Sequence, residues 1–216
     1  MPTRREFLGG LATFGAVAAM PSLLSAASST APSHPLNLLL ITADDLNCDS
    51  CGWMGNPVGA TPNLDAFSKT ATCFAHAHSS APICQPSREA IMTGRVPHRS
   101  GGLGFDPVNS DVPTLVEVLK ASGYFTAGIH KLPHMAPPAK FNWDARYDGG
   151  KKNREESGRE PSLYKTEVLD AIAKSDAAHK PFFINCNIND PHRPFYGSAG
   201  DVKLAGAKLE HEIAGK

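Results

Sequence analysis

Apolar and polar positions along this 216-residue chain fall into two kinds of run. Leu36 to Thr42 is almost continuously apolar, the pattern of a central strand of a parallel sheet covered on both faces. Tyr124 to Ile129 and Phe182 to Ile188 read the same way, and Thr72 to Ala77 is a further candidate strand. Between these runs the apolar spacing is helical. Thr61-Pro62 opens a helix that reaches about Thr70, with Leu64 and Phe67 on one face. Further helices are predicted over Pro86 to Gly94, over Pro113 to Ser122 with Gly123 closing it, and over Pro161 to Ala178. Residues 141–160 are polar and partly Gly-rich, and read as a loop. Alternating strands and helices predict an α/β fold, a mostly parallel sheet sandwiched by helices. Ligands of such sheets bind at the carboxyl ends of the strands.

Composition narrows the partners. Lys and Arg together number 21, and Asp and Glu together number 21, so the balance gives no reason to expect nucleic acid or an acidic membrane surface. The apolar fraction of 41% is enough for one packed domain, with or without an appended lobe. At the N-terminus, Thr3-Arg4-Arg5-Glu6-Phe7-Leu8 is a twin-arginine pattern. A Gly/Ala-rich apolar run follows from Leu8 to Met20, Pro21 breaks it, and Ser25-Ala26-Ala27 offers small residues for cleavage. That run is too short for a comfortable span, so no stable membrane insertion is expected. Residues 1–27 therefore read as a signal peptide handled by the twin-arginine (Tat) export machinery of a bacterium. The expected location is the periplasm or the exterior. Residues 28–35 read as a linker. Of five cysteines, Cys48 and Cys51 have C-x-x-C spacing, but no second such pair accompanies them, and they read as loop cysteines, free or disulfide-bonded.

The candidate chemistry begins at Cys84-Gln85-Pro86-Ser87-Arg88, with Thr93-Gly94 downstream. Pro86 suits the first turn of a helix, where its missing N–H has no partner to lose. The free N–H groups and the positive helix end favour negative charge beside Cys84, and Arg88 adds a fixed cation one turn on. Asp44-Asp45 follow the first strand. Neighbouring strand residues point to opposite faces, so both carboxylates meet one ion only where the strand has turned. Two hard oxygen donors without a nearby histidine suit calcium or magnesium better than zinc. Lys131 and His134 follow the strand that ends at Ile129, and His130 lies beside them. Prolines on both sides of His192, in Asn189-Asp190-Pro191-His192-Arg193-Pro194-Phe195, restrict the backbone and aim that ring. His76 and His78 alternate on the candidate strand and read as half-exposed strand residues.

The run from Pro82 to Gly94 resembles the sulfatase signature, C-x-P-S-R with a downstream T-G. Gly123 to His134 resembles the family's G-Y-x-T…G-K-x-H segment, with His130 in place of a glycine and one extra residue between lysine and histidine. In that spacing it is similar to the iduronate-type sulfatases. Asp190-Pro191-His192-Arg193 resembles the heparan N-sulfatase (N-sulfoglucosamine sulfohydrolase) branch.

The resemblance implies an alkaline-phosphatase-like fold and hydrolysis of sulfate esters or N-sulfates, with a sulfated small molecule or glycan as substrate. It implies that Cys84 is oxidised to formylglycine by a formylglycine-generating enzyme, and that the hydrated aldehyde is the nucleophile. Asp44, Asp45 and the modified Cys84 would hold a divalent cation, calcium or else magnesium. Arg88, with the cation, would favour the ionised aldehyde hydrate and help offset the sulfate charge, Lys131 would bind sulfate oxygens, His134 would act on the nucleophile's hydroxyl, and His192 would protonate the leaving group. The roles of His130 and His134 stay open between site residue and loop histidine.

The matching region spans residues 36–196, and residues 197–216 read as the tail of a truncated chain. A full sulfatase brings a second acid pair, another lysine and a C-terminal subdomain from further along. Two other readings stand beside this one: a phosphate-ester hydrolase of the wider superfamily, against which the intact C-x-P-S-R argues, and a catalytically incomplete fragment.

Overall fold

The structure is a computed structural model that describes residues 35–148, 160–193 and 195. The expected export segment, the linker up to residue 34 and the tail lie outside the described residues. Four strands, β1 (Leu38–Asp44), β2 (Phe125–Ile129), β3 (Ala145–Tyr147) and β4 (Phe182–Pro191), form one sheet in the order β1-β4-β2-β3. Every pairing is parallel. The helices are α1 (Pro62–Ser68), α2 (Cys84–Thr93), α3 (Pro97–Ser100), α4 (Leu115–Ala121) and α5 (Pro161–Ala177). The expected mostly parallel α/β architecture is therefore present.

Successive residues of β4 divide between two cores, as the period of two in a strand requires. Phe183 packs with Met92, Val116, Leu132 and Trp143 on one face. Ile184 and Cys186 pack with Ile129, Tyr164 and Ala171 on the other, under α5. Burying a side chain such as Ile184, fully inaccessible here, contributes roughly 1.5–3 kcal/mol. Gly128 of β2 sits where a Cβ would lie 2.7 Å from Leu132 Cδ2 and 2.8 Å from the Trp143 ring, so only glycine lets β2 approach that ring. Helix α4 starts with a reciprocal cap: Glu117 N donates to Thr114 Oγ1, and Thr114 N donates to the Glu117 carboxylate.

Three sequence expectations are corrected. The run around β1 is not a covered central strand. Among the described residues β1 pairs only with β4, and Leu38, Leu39 and Ile41 are 38%, 48% and 57% exposed. An apolar run records a strand's readiness for burial on both faces, not which neighbours supply it. Thr72 to Ala77 forms no strand; it is an exposed loop, with Phe74 74% exposed, and among the described residues no strand pairs with it. Residues 145–147, within the expected loop, form β3 against β2; three residues are too few to show a period. The remaining boundaries agree to within three residues.

The topology places the site. Strand β4 arrives from far along the chain and inserts between β1 and β2. With all strands parallel, the segments leaving β1 at Asp44, β2 at Ile129 and β4 at Pro191 emerge on one edge of the sheet. If the centre of the sheet is β4 and not β1, Ile184→Ala lowers unfolding stability by about 2–5 kcal/mol, and Ile41→Ala changes it by less than about 0.5 kcal/mol. Denaturant titration of both variants checks this; equal losses would contradict it.

Candidate active site

Cys84 is the first residue of α2, after extended Ile83, and the chain leaves that helix through left-handed Gly94. The thiol is half-buried and, like the other four cysteines, forms no disulfide. One turn on, Arg88 is 6% exposed and points across to the sheet. Its Nη1 donates to Thr42 Oγ1 at 2.9 Å and to Asn187 Oδ1, and its Nη2 lies 3.4 Å from Asp44 Oδ1. Lys131 reaches the other oxygen, with Nζ 2.5 Å from Asp44 Oδ2. One buried carboxylate thus sits between two cations, and the cluster carries one net positive charge. Burial pushes Asp44 up, but the Lys131 hydrogen bond and the charges of Lys131 and Arg88 outweigh it and hold the carboxyl below its usual value.

Asp45 is the point at which β1 turns. Its φ is 61°, and the ladder to β4 shifts register just before it, between Ala43 and Asp44. The turn satisfies the condition set by the sequence. Asp44 faces inward, Asp45 is exposed, and both line one open cleft of about 860 Å³ together with Cys84, Arg88 and Arg193. His192 stands at the cleft's Asp45 side, its Nε2 3.8 Å from Asp45 Oδ2 and its Nδ1 2.5 Å from the Arg193 carbonyl.

The two histidines after β2 part company. His134 is half-buried near Lys131 and Arg88; burial, followed by those two charges, pushes its pKa down and keeps the ring neutral. Its Nδ1 is buried and finds no hydrogen-bond partner among the described residues. His130 turns away from the site. It is 1% exposed, its Nε2 lies 2.7 Å from Glu167 Oε2 on α5, and its ring meets Tyr164 edge-on at 4.8 Å. The structure therefore brings Asp44, Asp45, Cys84, Arg88, Lys131, His134 and His192 to one edge of the sheet and assigns His130 to the core behind it. His76 and His78 lie in an exposed loop, not on a strand.

His130 and Lys131 are consecutive residues with φ of 52° and 53°. Each left-handed residue that is not glycine costs roughly 1–2 kcal/mol, so the surroundings must hold this turn in place. Asn187 does so, donating from Nδ2 to the carbonyls of Ile129 and His130, both at 3.0 Å. Thr42 and Asn187 were missed in the sequence. Their signal is polar residues at alternate positions of an otherwise apolar strand, Asn185 and Asn187, where a buried face calls for a purpose.

As donors for a metal, Asp44 and Asp45 fit in kind, since hard oxygens suit calcium or magnesium. They do not suffice in number. Among the described residues no group of three or more His, Cys, Asp or Glu side chains converges, whereas calcium takes ~6–8 oxygens.

Comparison with known proteins identifies the family. The family model described as Sulfatase matches residues 36–204. The chain is 31% identical over 229 residues to N-acetylgalactosamine-6-sulfatase of Canis lupus familiaris, covering 82% of this chain and 44% of that protein. It is 32% identical over 181 residues to N-sulphoglucosamine sulphohydrolase of Homo sapiens, covering 77% and 34%. Among solved structures, BT4656 in complex with its substrate D-glucosamine-2-N,6-O-disulfate superposes with a TM-score of 0.62 at 21% identity, over 73% of this chain and 35% of that one. The chain thus spans less than half the length of these proteins.

The buried His130–Glu167 contact carries a pH signature. Burial pushes Glu167 up to about 7 from its ordinary 4.5, so the folded state holds a proton that the unfolded state releases. That contribution is fully present below pH 4.5 and is lost as pH rises toward 7. Glu167→Gln removes it. The stability of the variant relative to wild type therefore rises with pH across this window, by on the order of 2 kcal/mol. Urea unfolding at a series of pH values checks the slope; a difference that stays flat would contradict it.

Proposed function

The chain belongs to the sulfatase family, and from that membership we propose that it hydrolyses sulfate esters or N-sulfates of sulfated glycans through a nucleophile derived from Cys84. The observation that carries the reading is the meeting, at one sheet edge, of a helix-start cysteine with Arg88 and Lys131 around a buried carboxylate. We read Cys84 as the substrate of a formylglycine-generating enzyme; the resulting aldehyde, hydrated, supplies the attacking oxygen. Asp44 and Asp45 would hold a calcium or magnesium ion, which would offset negative charge on the sulfate.

The chain's own residues do the rest. Arg88 and Lys131, held in place by Asp44, draw in the sulfate oxygens as preorganised charges. His134, kept neutral by burial and its cationic neighbours, can take a proton at its buried Nδ1. His192, beside Asp45, would give a proton to the departing oxygen or nitrogen. A sulfated amino sugar is the substrate class we favour, because both curated relatives named above carry such a substrate in their names. Export by the twin-arginine route to the periplasm is part of the same proposal and rests on residues 1–27.

A second reading, a chain that binds sulfate without turning it over alone, is favoured by one observation. Among the described residues no group of three or more His, Cys, Asp or Glu side chains is arranged to hold a metal ion.

Mass spectrometry of the Cys84 peptide from protein made with a formylglycine-generating enzyme is expected to show an aldehyde in place of the thiol. On a sulfate ester, Arg88→Ala is expected to lower kcat/KM by on the order of 10²-fold. An unmodified thiol together with an undiminished rate in the Arg88 variant would refute the proposal.

A further inference from the structure

We propose that Asn187 is a positioning residue whose single side-chain amide fixes both sulfate-facing cations, Arg88 and Lys131, at once. What those cations act on rests on the sulfatase reading; how they are held rests on geometry alone.

Asn187 is 1% exposed and lies directly across from Thr42 in the β1–β4 register. Both ends of its amide are used. Oδ1 accepts from Arg88 Nη1 and from Thr42 Oγ1, the latter at 2.9 Å. Nδ2 donates to the carbonyls of Ile129 and His130, both at 3.0 Å. The orientation is dictated by the neighbours. A reversed amide would turn its NH2 toward a guanidinium that can only donate, and its oxygen toward two carbonyls that can only accept.

The two tethered carbonyls bracket the start of the left-handed pair His130-Lys131. Lys131 leaves that turn to reach Asp44, which Arg88 also contacts. The contacts therefore close a ring: Arg88 to Asn187, Asn187 to the turn, the turn through Lys131 to Asp44, and Asp44 back to Arg88. No other side chain among the described residues is bonded both to Arg88 and to the backbone of the turn that carries Lys131. Asparagine alone supplies both halves in this space. Aspartate keeps the acceptor for Arg88 but has no donor for the carbonyls, and leucine has neither.

The test uses the full chain, with hydrogen exchange read by mass spectrometry and inorganic sulfate binding read by calorimetry. Asn187→Asp and Asn187→Leu are compared with Asn185→Ala, a neighbouring buried change that touches Met135 but neither cation. In both Asn187 variants the peptide covering residues 129–135 is expected to exchange at least about tenfold faster, with peptides of α5 unchanged. Sulfate is expected to bind at least about tenfold more weakly, the loss of roughly one charge-assisted contact. Asn185→Ala lowers the melting temperature and leaves sulfate affinity unchanged.

Wild-type exchange at residues 129–135 in Asn187→Asp overturns the proposal, and so does undiminished sulfate affinity with a loosened turn. If wild type binds no sulfate, the sulfatase reading fails, and the exchange result still decides whether Asn187 holds the turn.

Discussion

A buried carboxylate held between two cations organises this molecule. Asp44 lies at the end of β1, and its two oxygens face Arg88 from α2 and Lys131 from the turn after β2. A charge at 4% exposure is tolerated only when paired and hydrogen-bonded. Removing either cation would leave one carboxylate oxygen without its ionic partner and the cluster without net charge. Because two cations meet one anion, the cluster has positive charge left over, and a second anion is the natural complement. The ion network thus joins three separate segments of chain at one edge of the sheet.

Parallel strands are what bring those segments together. A parallel sheet sends every strand's carboxyl end to one edge, so residues 44, 131 and 192 meet although almost 150 positions separate the first from the last. The insertion of β4 between β1 and β2 matters most. It sets Asn187 opposite Thr42 and within reach of the β2 end, where its amide bridges Arg88 to a backbone turn that would otherwise be strained. Local cost at the turn and global order of the sheet are parts of one arrangement.

How much of this was legible depended on the range of the interaction concerned. Cys84-x-Pro86-Ser87-Arg88 could be read directly, because helix start, cation and thiol are neighbours in sequence. Asp44, Lys131 and His192 could be read as strand-end residues, and the apolar runs located three of the four strands. The choice between His130 and His134 could not be made. It turns on Glu167 and Tyr164, which approach from a helix more than thirty residues away and claim His130 for the core. Asn187 escaped notice for a similar reason, since its meaning lies in two partners that only the sheet order brings near. The covered position expected for β1 failed because burial belongs to the neighbours of a strand, and a run of leucines does not name them.

The most direct test of the account is the energetic coupling between Asp44 and Lys131. Unfolding free energies of wild type, Asp44→Asn, Lys131→Met and the double variant, measured in buffer containing a chelator, close a double-mutant cycle. The account predicts a favourable coupling of at least about 1 kcal/mol, with the double variant more stable than the sum of the single losses implies. A coupling within about 0.3 kcal/mol of zero would mean that the two groups do not depend on one another, and the organising role given to Asp44 would be wrong.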